Sequence, residues 1–443
     1  MLRRLGLLLC VFLLITSCAE REGDLPPPPP KRPDTVDARR MILAARERLA
    51  ADLEPGALSW PAFHALLIAA GLDGGVAPPL LEHEAYRLVD SLPRRPSPQL
   101  CAAALPALLL WYDVGVDADA ASSGVARLLS GLAHALPLGV SRADVSPGDL
   151  AAAAACLPHL VAWHGASADS SALDLAARIA GLLEGVGPGR GMPVTSHTRA
   201  WAGYVAAARR LQAGDEGAAF SMARAALADW RRAGLVTDWG MVADERSARS
   251  ASATAALALL YAELGDWERA ERSLRNHLAE TLPAAGADDA AEAMIDLQRV
   301  LRRSVEPDAA GVTVHTLMNV STPHVEVNCF LPYKGHIDVY VGHPGLLRLR
   351  CPSWVDCENV WATVNRIPMT EGVREGYWCF EGLRGGDRVS LTFTPPESSE
   401  EVVTALGRFT VSWKGATLLS LDPALSGLYE GRVYEGNPSF YER

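Results

Sequence analysis

The sequence lacks the features of several common classes of protein. Its 443 residues carry a net charge of −11 and no basic stripe, so nucleic acid is not an expected partner. It contains no CxxC or HxxxH spacing that would indicate a metal site, and no GxSxG segment of the α/β-hydrolase type. No cysteine lies between Cys156 and Cys329. We therefore expect no metal ion and no other cofactor.

What is present at the N-terminus indicates export. Arg3 and Arg4 precede an apolar stretch, Leu5–Ile15, that is too short for a spanning helix. The segment ITSC, which ends at Cys18, is similar to a bacterial lipobox. We predict a signal peptide over 1–17, lipidation of Cys18, and a membrane-anchored lipoprotein in the periplasm or on the cell surface. An ordinary signal peptide that contains a cysteine is the alternative.

The next segment, over 18–36, is polar and rich in proline. Such a composition cannot bury apolar surface, and we interpret it as an extended tether. The remaining chain is long enough for two domains with a large core.

A repeat of about 50 residues follows the tether. Gly115, Gly165, Gly214 and Gly265 recur at steps of 50, 49 and 51, each at the expected end of an alanine- and leucine-rich helix. Polar residues after each glycine can cap the next helix. The pattern predicts antiparallel helix pairs over 37–303. About six pairs can close into an α/α toroid or stay open as a solenoid, and the spacing alone does not choose between them.

The pattern changes at Gly311. Short alternating strands separated by turns such as GHPG and RGGD predict an antiparallel β-sandwich over 311–443. The fold class is therefore α+β and multidomain. Cys351 and Cys357 are the nearest pair of cysteines for a disulfide.

Several segments of the β-part carry a resemblance to a known family. NVSTPHVEVNCFLPYKGHIDVYV, LLRLRCPSWV, ENVWATVN, GYWCFEGLRGGDRVSLTF and TVSWKGATLLSLDP resemble the β-L-arabinofuranosidase-like glycoside hydrolases of family 127. The resemblance covers about the last 210 residues. It implies an α/α toroid followed by β-domains, and so favours the closed ring.

The resemblance also implies a catalytic centre that this sequence does not preserve. Family members have a Glu-x-Cys motif and adjacent cysteines that bind zinc, and one cysteine acts as the nucleophile. Glu245 stands where the glutamate is expected, Ser247 stands in place of the cysteine, and the segment over 282–289 has no cysteine. We interpret the chain as a divergent member without the cysteine and zinc site.

A carboxylate-rich loop is the remaining candidate for chemistry. The segment TDWGMVADE holds Asp238, Trp239, Asp244 and Glu245. Trp239 could stack on a sugar, Asp238 could bind it, and Asp244 with Glu245 could perform acid–base glycoside hydrolysis. Alternatively, Asp244 and Glu245 are helix N-terminal charges that the macrodipole favours.

A second candidate element precedes this loop in the sequence. The resemblance implies a substrate-contacting histidine at His197, with Trp201 one turn further along the helix. A solvated or capping histidine is the alternative. Two functions stay open: a glycan-associated protein with carbohydrate as its partner, either a degenerate hydrolase or a carboxylate-dependent one, and a helical-repeat scaffold lipoprotein in a cell-envelope assembly.

Overall fold

The structure divides the chain into two compact units. One contains residues 305–395, and the other contains residues 38–304 together with 396–443. The predicted signal peptide, Cys18 and the tether lie outside the described residues, and no described helix is both long and apolar enough to cross a membrane. The structure is a computed structural model that describes residues 41–42, 59–72, 79–114, 117–184, 194–211, 216–243, 247–369, 372–425 and 428.

The second unit is mainly helical. Ordinary capping residues begin several of its helices: the carboxylate of Asp117 accepts from the amides of Asp119 and Ala120, and the hydroxyl of Ser146 accepts from the amide of Asp149. The helices are α1 (Trp60–Leu72), α2 (Pro79–Asp90), α3 (Pro98–Val114), α4 (Ala118–Ala135), α5 (Pro147–Ser167), α6 (Ser170–Leu183), α7 (Val194–Leu211), α8 (Glu216–Arg232), α9 (Ala251–Glu263), α10 (Trp267–Arg272, continued by a π-helical turn over Ser273–Leu278) and α11 (Ala287–Ser304).

The repeat glycines have different roles at the helix ends. Gly265 follows α9 directly and has a φ of +76°, as a left-handed helix stop requires. Gly165, in contrast, lies inside α5, and the left-handed residue at that helix end is Ala168, with a φ of +57°. The expectation that Gly165 ends its helix is therefore wrong. Gly115 and Gly214 lie outside the described residues.

Six helices contact one another in a closed cycle. Helix α1 contacts α3, and the contacts continue through α5, α7 and α9 to α11, which contacts α1 again. We call these six the inner helices. Each of α2, α4, α6, α8 and α10 packs on the inner helix that precedes it in the chain. Each repeat of about 50 residues thus supplies one inner and one outer helix.

Two of the inner helices approach especially closely. A Cβ added to Gly203 of α7 would lie only 2.7 Å from the carbonyl oxygen of Ala154 in α5. Pro158 lacks the N–H that would normally donate to that carbonyl. The glycine therefore packs against a carbonyl that the proline has left without its helical partner.

The other unit contains two sheets that share one hydrophobic cluster. The clustered residues include Val314, Leu347 and Phe380 from one sheet, and Val339 and Leu391 from the other. The first sheet has the order β1-β2-β6-β10-β9 and the second β3-β4-β5-β11-β7-β8. The strands are β1 (Val305–Pro307), β2 (Gly311–Val314), β3 (Val320–Ser321), β4 (Val325–Cys329), β5 (His336–Val341), β6 (Gly345–Arg350), β7 (Trp361–Val364), β8 (Ile367–Met369), β9 (Val373–Arg374), β10 (Tyr377–Leu383) and β11 (Arg388–Thr392).

One strand pair differs from the expected antiparallel arrangement. Strands β2 and β6 are parallel, because the chain passes through β3, β4 and β5 of the other sheet before it returns. All other pairs in these two sheets are antiparallel. Cys351, which follows β6, forms a disulfide with Cys357.

A buried polar network joins β5 to β11. The carboxylate of Asp338 accepts hydrogen bonds from Arg388 Nε (3.0 Å) and Nη2 (2.7 Å) and from Ser390 Oγ (2.6 Å). Burial alone would raise the pKa of Asp338, but hydrogen bonds from His336, Arg388 and Ser390 lower it to about 2. The ionised carboxylate therefore contributes to the stability of this sheet.

The last three strands belong to the helical unit. Strands β12 (Glu397–Thr404), β13 (Gly407–Lys414) and β14 (Thr417–Asp422) form an antiparallel sheet. Trp413 of this sheet clusters with Trp239, and the side chain of Asn276 donates to the carbonyl of Ala416 (2.9 Å) and accepts from the amide of Leu418 (2.8 Å). The C-terminal part of the predicted sandwich thus packs on helices instead. The other predicted domain boundaries stay a prediction.

Candidate functional site

The residues predicted for catalysis fall only partly within the described chain. Asp244 and Glu245 lie outside the described residues, in the segment that leads to α9. His197 lies in the first turn of α7, but its side chain is outside the described part. Their proposed roles stay a prediction.

Asp238 is held in an ion-pair network. Its Oδ1 accepts from Arg231 Nη2 at 2.8 Å and from Arg269 Nε at 3.2 Å. Arg231 is in the last turn of α8 and Arg269 is in α10. The carboxylate therefore joins two outer helices, and both arginines already compete for the oxygen that a sugar hydroxyl would contact.

Trp239 and Trp201 are both buried. Trp239 is fully buried, and its ring packs edge-on against Trp413 with 6.4 Å between the ring centroids. Trp201 is also buried, on α7, at 6.2 Å from the ring of Tyr204. Stacking on a sugar needs an exposed ring face, which the structure gives to neither tryptophan. The structure also does not bring Trp239 together with Asp238 in a common cleft.

The first turn of α11 caps neighbouring helices. Oxygens of Asp289 accept from Ser250 Oγ (2.8 Å) and from the amide of Ala251 (2.8 Å), at the start of α9. Asp288 accepts from Ser59 Oγ (2.6 Å), just before α1. Among the residues that the structure describes, no group of three or more histidine, cysteine, aspartate or glutamate side chains could hold a metal ion. The side chains described here thus do not fit the zinc centre that the family resemblance implies.

An ion pair connects two non-neighbouring inner helices. Arg199 of α7 donates through Nε to Asp296 Oδ2 (2.8 Å) and through Nη1 to Glu292 Oε2 (3.1 Å), both in α11. Asp296 is fully buried. Burial alone would lower the pKa of Arg199, but the two carboxylates raise it above its ordinary value. In the cycle of inner helices α9 lies between α7 and α11, so this ion pair connects two helices that are not adjacent.

A cavity of about 220 Å³ lies nearer the C-terminal ends of the inner helices. Sequence reasoning missed it. On α3 its lining includes Pro106, Leu109, Leu110 and Asp113, spaced i, i+3, i+4 and i+7, so these side chains share one helix face. That spacing could have indicated a shared helix face, but alanine-rich helices contain many similar spacings, so it did not single out this cavity. All six inner helices contribute to the lining, for example through His64, Asp113, His159, Ala206, Glu263 and Arg302.

The electrostatics of this cavity are uneven. Burial, together with Arg299 and Arg302, lowers the pKa of His64 to about 3, so its imidazole is neutral at pH 7. The surrounding protein excludes part of the water around Asp113 and raises the pKa of its carboxyl, an effect that Arg302 opposes. Arg302 thus acts on both His64 and Asp113, and Arg299 acts on His64.

Comparisons with known proteins identify the fold. No family model matches the chain, and no curated protein matches its sequence. Among solved structures, it is similar to a GH127 β-L-arabinofuranosidase from Geobacillus stearothermophilus T6, with 12% identity over 87% of this chain and 81% of that chain and a TM-score of 0.56. A protein described as a glycoside hydrolase has 10% identity over 86% and 80% of the two chains, with a TM-score of 0.58. A GH127 β-arabinofuranosidase has 10% identity over 86% and 78%, with a TM-score of 0.57. The chain thus has a GH127-like, glycoside-hydrolase-like fold.

Proposed function

We propose that the protein is a membrane-anchored, glycan-associated member of the GH127-like fold, either a carbohydrate-binding protein or a degenerate hydrolase. The single observation that carries the proposal is the structural likeness, with TM-scores of 0.56–0.58 over 86–87% of the chain. The similar structures are described as β-L-arabinofuranosidases or glycoside hydrolases, and carbohydrate is therefore the proposed partner.

The finer architecture supports this proposal. The closed cycle of inner helices is the contact pattern of an α/α toroid, since an open solenoid would leave α1 and α11 apart. The two sheets with a shared core have the arrangement of a β-sandwich. We infer that the helices form the predicted toroid and that the two sheets form a sandwich within 305–395, shorter than the predicted 311–443.

The proposed chemistry does not use a thiolate. No cysteine lies between Cys156 and Cys329, and Asp288 and Asp289 cap helices in the segment where the family resemblance places thiols. If the protein is catalytic, we infer that Asp244 and Glu245 perform acid–base chemistry and that His197 contacts the substrate. No step through zinc follows from this set of side chains.

The proposed location rests on the N-terminal sequence. The order of charged residues, apolar stretch, small residues, Cys18 and proline-rich tether supports cleavage before Cys18 and a lipid anchor. Replacing Cys18 by Ala should leave an unprocessed precursor in a membrane fraction. A normally processed, anchored Cys18→Ala protein would contradict the lipoprotein assignment.

Glycan binding and hydrolysis can be tested on the mature chain. We expect binding to at least one class of oligosaccharide on a glycan array, and we expect any hydrolysis of aryl glycosides to persist after thiol alkylation. Glu245→Gln and Asp244→Asn should each lower a hydrolytic rate by about 10²-fold or more, the usual size of a general acid–base contribution. Asp229→Asn, an exposed change on α8, is the matched control. Full activity in both variants would refute their assignment.

A second function is favoured by one specific observation. The ion pair from Arg199 to Asp296 bridges part of the inner-helix cycle, and Trp201 is buried beside it on the same helix. A plugged centre is what a helical-repeat scaffold in a cell-envelope assembly would tolerate. No binding on the array, with migration in a large complex after gentle membrane extraction, would favour this scaffold.

A further inference from the structure

The described lining of the cavity near the C-terminal ends of the inner helices contains none of the residues proposed for the glycan site. Arg199 and the cavity-lining Ala206 are seven residues apart on α7, which is about 10 Å along a helix at 1.5 Å per residue. In the sequence, Asp244 and Glu245 precede α9. The cavity faces the C-terminal ends of the inner helices, where Asp113 and Arg302 are exposed to solvent.

His64 is the buried polar group of this cavity. It is 6% exposed, and its Nδ1 has no hydrogen-bond partner among the described residues. A buried polar atom without a partner costs about 1–3 kcal/mol. Because the ring is neutral, it can donate one hydrogen bond and accept another. His64 lines the cavity, and a ligand that enters can contact the small part of the ring that stays exposed, whereas the unpartnered Nδ1 itself is covered.

Among the described residues, only some of the arginines that line the cavity form ion pairs with carboxylates. Arg303 is bound to Glu263, and Arg299 Nη1 lies 3.7 Å from Asp296 Oδ1. Arg302 makes no hydrogen bond or ion pair with another described residue, although it acts on His64 and Asp113 through space. Arg299 and Arg302 are three residues apart on α11, so both side chains lie on one helix face.

The charge balance indicates the class of ligand. Three arginines line the cavity against Asp113 and Glu263. The ion pairs that extend from these residues add Arg209 and Arg199 on the positive side and Asp296 and Glu292 on the negative side, so the whole group keeps one positive charge in excess. A monoanion balances that single positive charge, whereas a dianion would leave a net negative charge beside Asp113. The apolar walls, which include Pro106, Leu109 and Pro158, suit a carbon skeleton rather than a bare inorganic ion.

We propose that this cavity binds a small organic monocarboxylate. Its carboxylate contacts Arg302 and Arg299, since guanidinium groups match carboxylate geometry, and a polar group of the ligand hydrogen-bonds to His64. The volume of about 220 Å³ equals that of about seven water molecules, enough for a ligand of monosaccharide size or smaller. The proposal is independent of the glycan site, because the two use different residues.

Isothermal titration calorimetry on the full mature chain in detergent tests the proposal. The probes are sodium acetate, sodium lactate and sodium glucuronate, with glucose as the neutral probe and inorganic phosphate as the inorganic anion. We expect saturable binding of at least one monocarboxylate, no binding of glucose, and weaker binding of phosphate. Arg302→Gln should raise the Kd of the monocarboxylate at least tenfold, and Arg302→Lys should restore part of the affinity.

Controls separate this site from the others. Arg302 is exposed, so its replacement should not unfold the protein, and circular dichroism checks this. Arg232→Gln removes an exposed arginine on α8 and should leave Kd unchanged. Glu245→Gln should also leave monocarboxylate binding unchanged, even if it abolishes glycan chemistry. Failure of all three carboxylates to bind, tighter binding of phosphate, or equal binding in Arg302→Gln would each overturn the proposal.

Discussion

The burial of Trp239 leads to a prediction that separates structure from sugar recognition. Its indole is fully buried among residues of the C-terminal sheet, including Phe409, Trp413 and Leu418. Replacement of a buried tryptophan by alanine removes its burial and leaves a cavity, which costs about 3–5 kcal/mol. We therefore expect Trp239→Ala to lower the free energy of unfolding by about that amount, whether or not the protein binds glycans.

A pair of phenylalanine variants makes the test sharper. The Nε1 of Trp239 has no hydrogen-bond partner among the described residues, whereas Nε1 of Trp413 donates to Glu400 Oε1 at 2.9 Å. Trp239→Phe removes an unsatisfied N–H, which offsets part of the lost packing, so we expect a cost of about 1 kcal/mol. Trp413→Phe also loses a bond to a charged acceptor and should cost about 1–2 kcal/mol more.

Urea unfolding of the mature chain, followed by circular dichroism, measures these differences. The two units are not required to unfold together, so the transition of the helical unit must be identified separately. If Trp239→Ala leaves that transition unchanged, or if Trp239→Phe costs more than Trp413→Phe, the reasoning is wrong. Loss of glycan binding in a fully folded Trp239→Phe protein would instead support the original sugar-contact prediction.

Three further predictions follow from other parts of the molecule. The free energy of unfolding of the unit over 305–395 should fall by about 2 kcal/mol as the pH falls from 4 to 2. The reason is that the folded pKa of Asp338 is about 2 and its unfolded pKa is near 3.9, so the ionised carboxylate stabilises the fold fully only above the unfolded pKa. In Asp338→Asn, the free energy of unfolding should depend less on pH between 4 and 2 than it does in the unmodified protein. Gly203→Ala should lower the free energy of unfolding by about 1–3 kcal/mol, since its Cβ would meet the Ala154 carbonyl. Gly181→Ala, which has open space around it, should leave the thermal stability unchanged or raise it. Treatment with EDTA should leave the melting temperature unchanged, because the middle of the chain has no thiol for zinc.

Much of the coarse architecture could be predicted from local patterns. The 50-residue spacing predicted helix pairs because each pair is one local unit with its own stop and cap signals. Alternating strands predicted the β-part for the same reason: the side-chain period along a strand is a property of a few adjacent residues. The disulfide between Cys351 and Cys357 joins the pair that is nearest in sequence.

The candidate site could not be predicted in the same way. Trp239 looks like a sugar-stacking residue in its local segment, and only its contact with Trp413, far along the chain, buries it. Asp288 and Asp289 read locally as helix N-terminal charges, and only the tertiary structure shows that they also bind Ser59 and Ser250, which precede other helices.

The sequence by itself therefore determined the helix pairs, the strands and the absence of thiols between Cys156 and Cys329, because these depend on neighbouring residues or on composition. Tertiary structure decided which side chains are accessible, because burial depends on contacts between distant segments. The cavity around His64 is the clearest case. Arg299 and Arg302 lie beside His64 only because α11 packs against α1 when the cycle of helices closes, and no local sequence pattern around His64 predicts that contact.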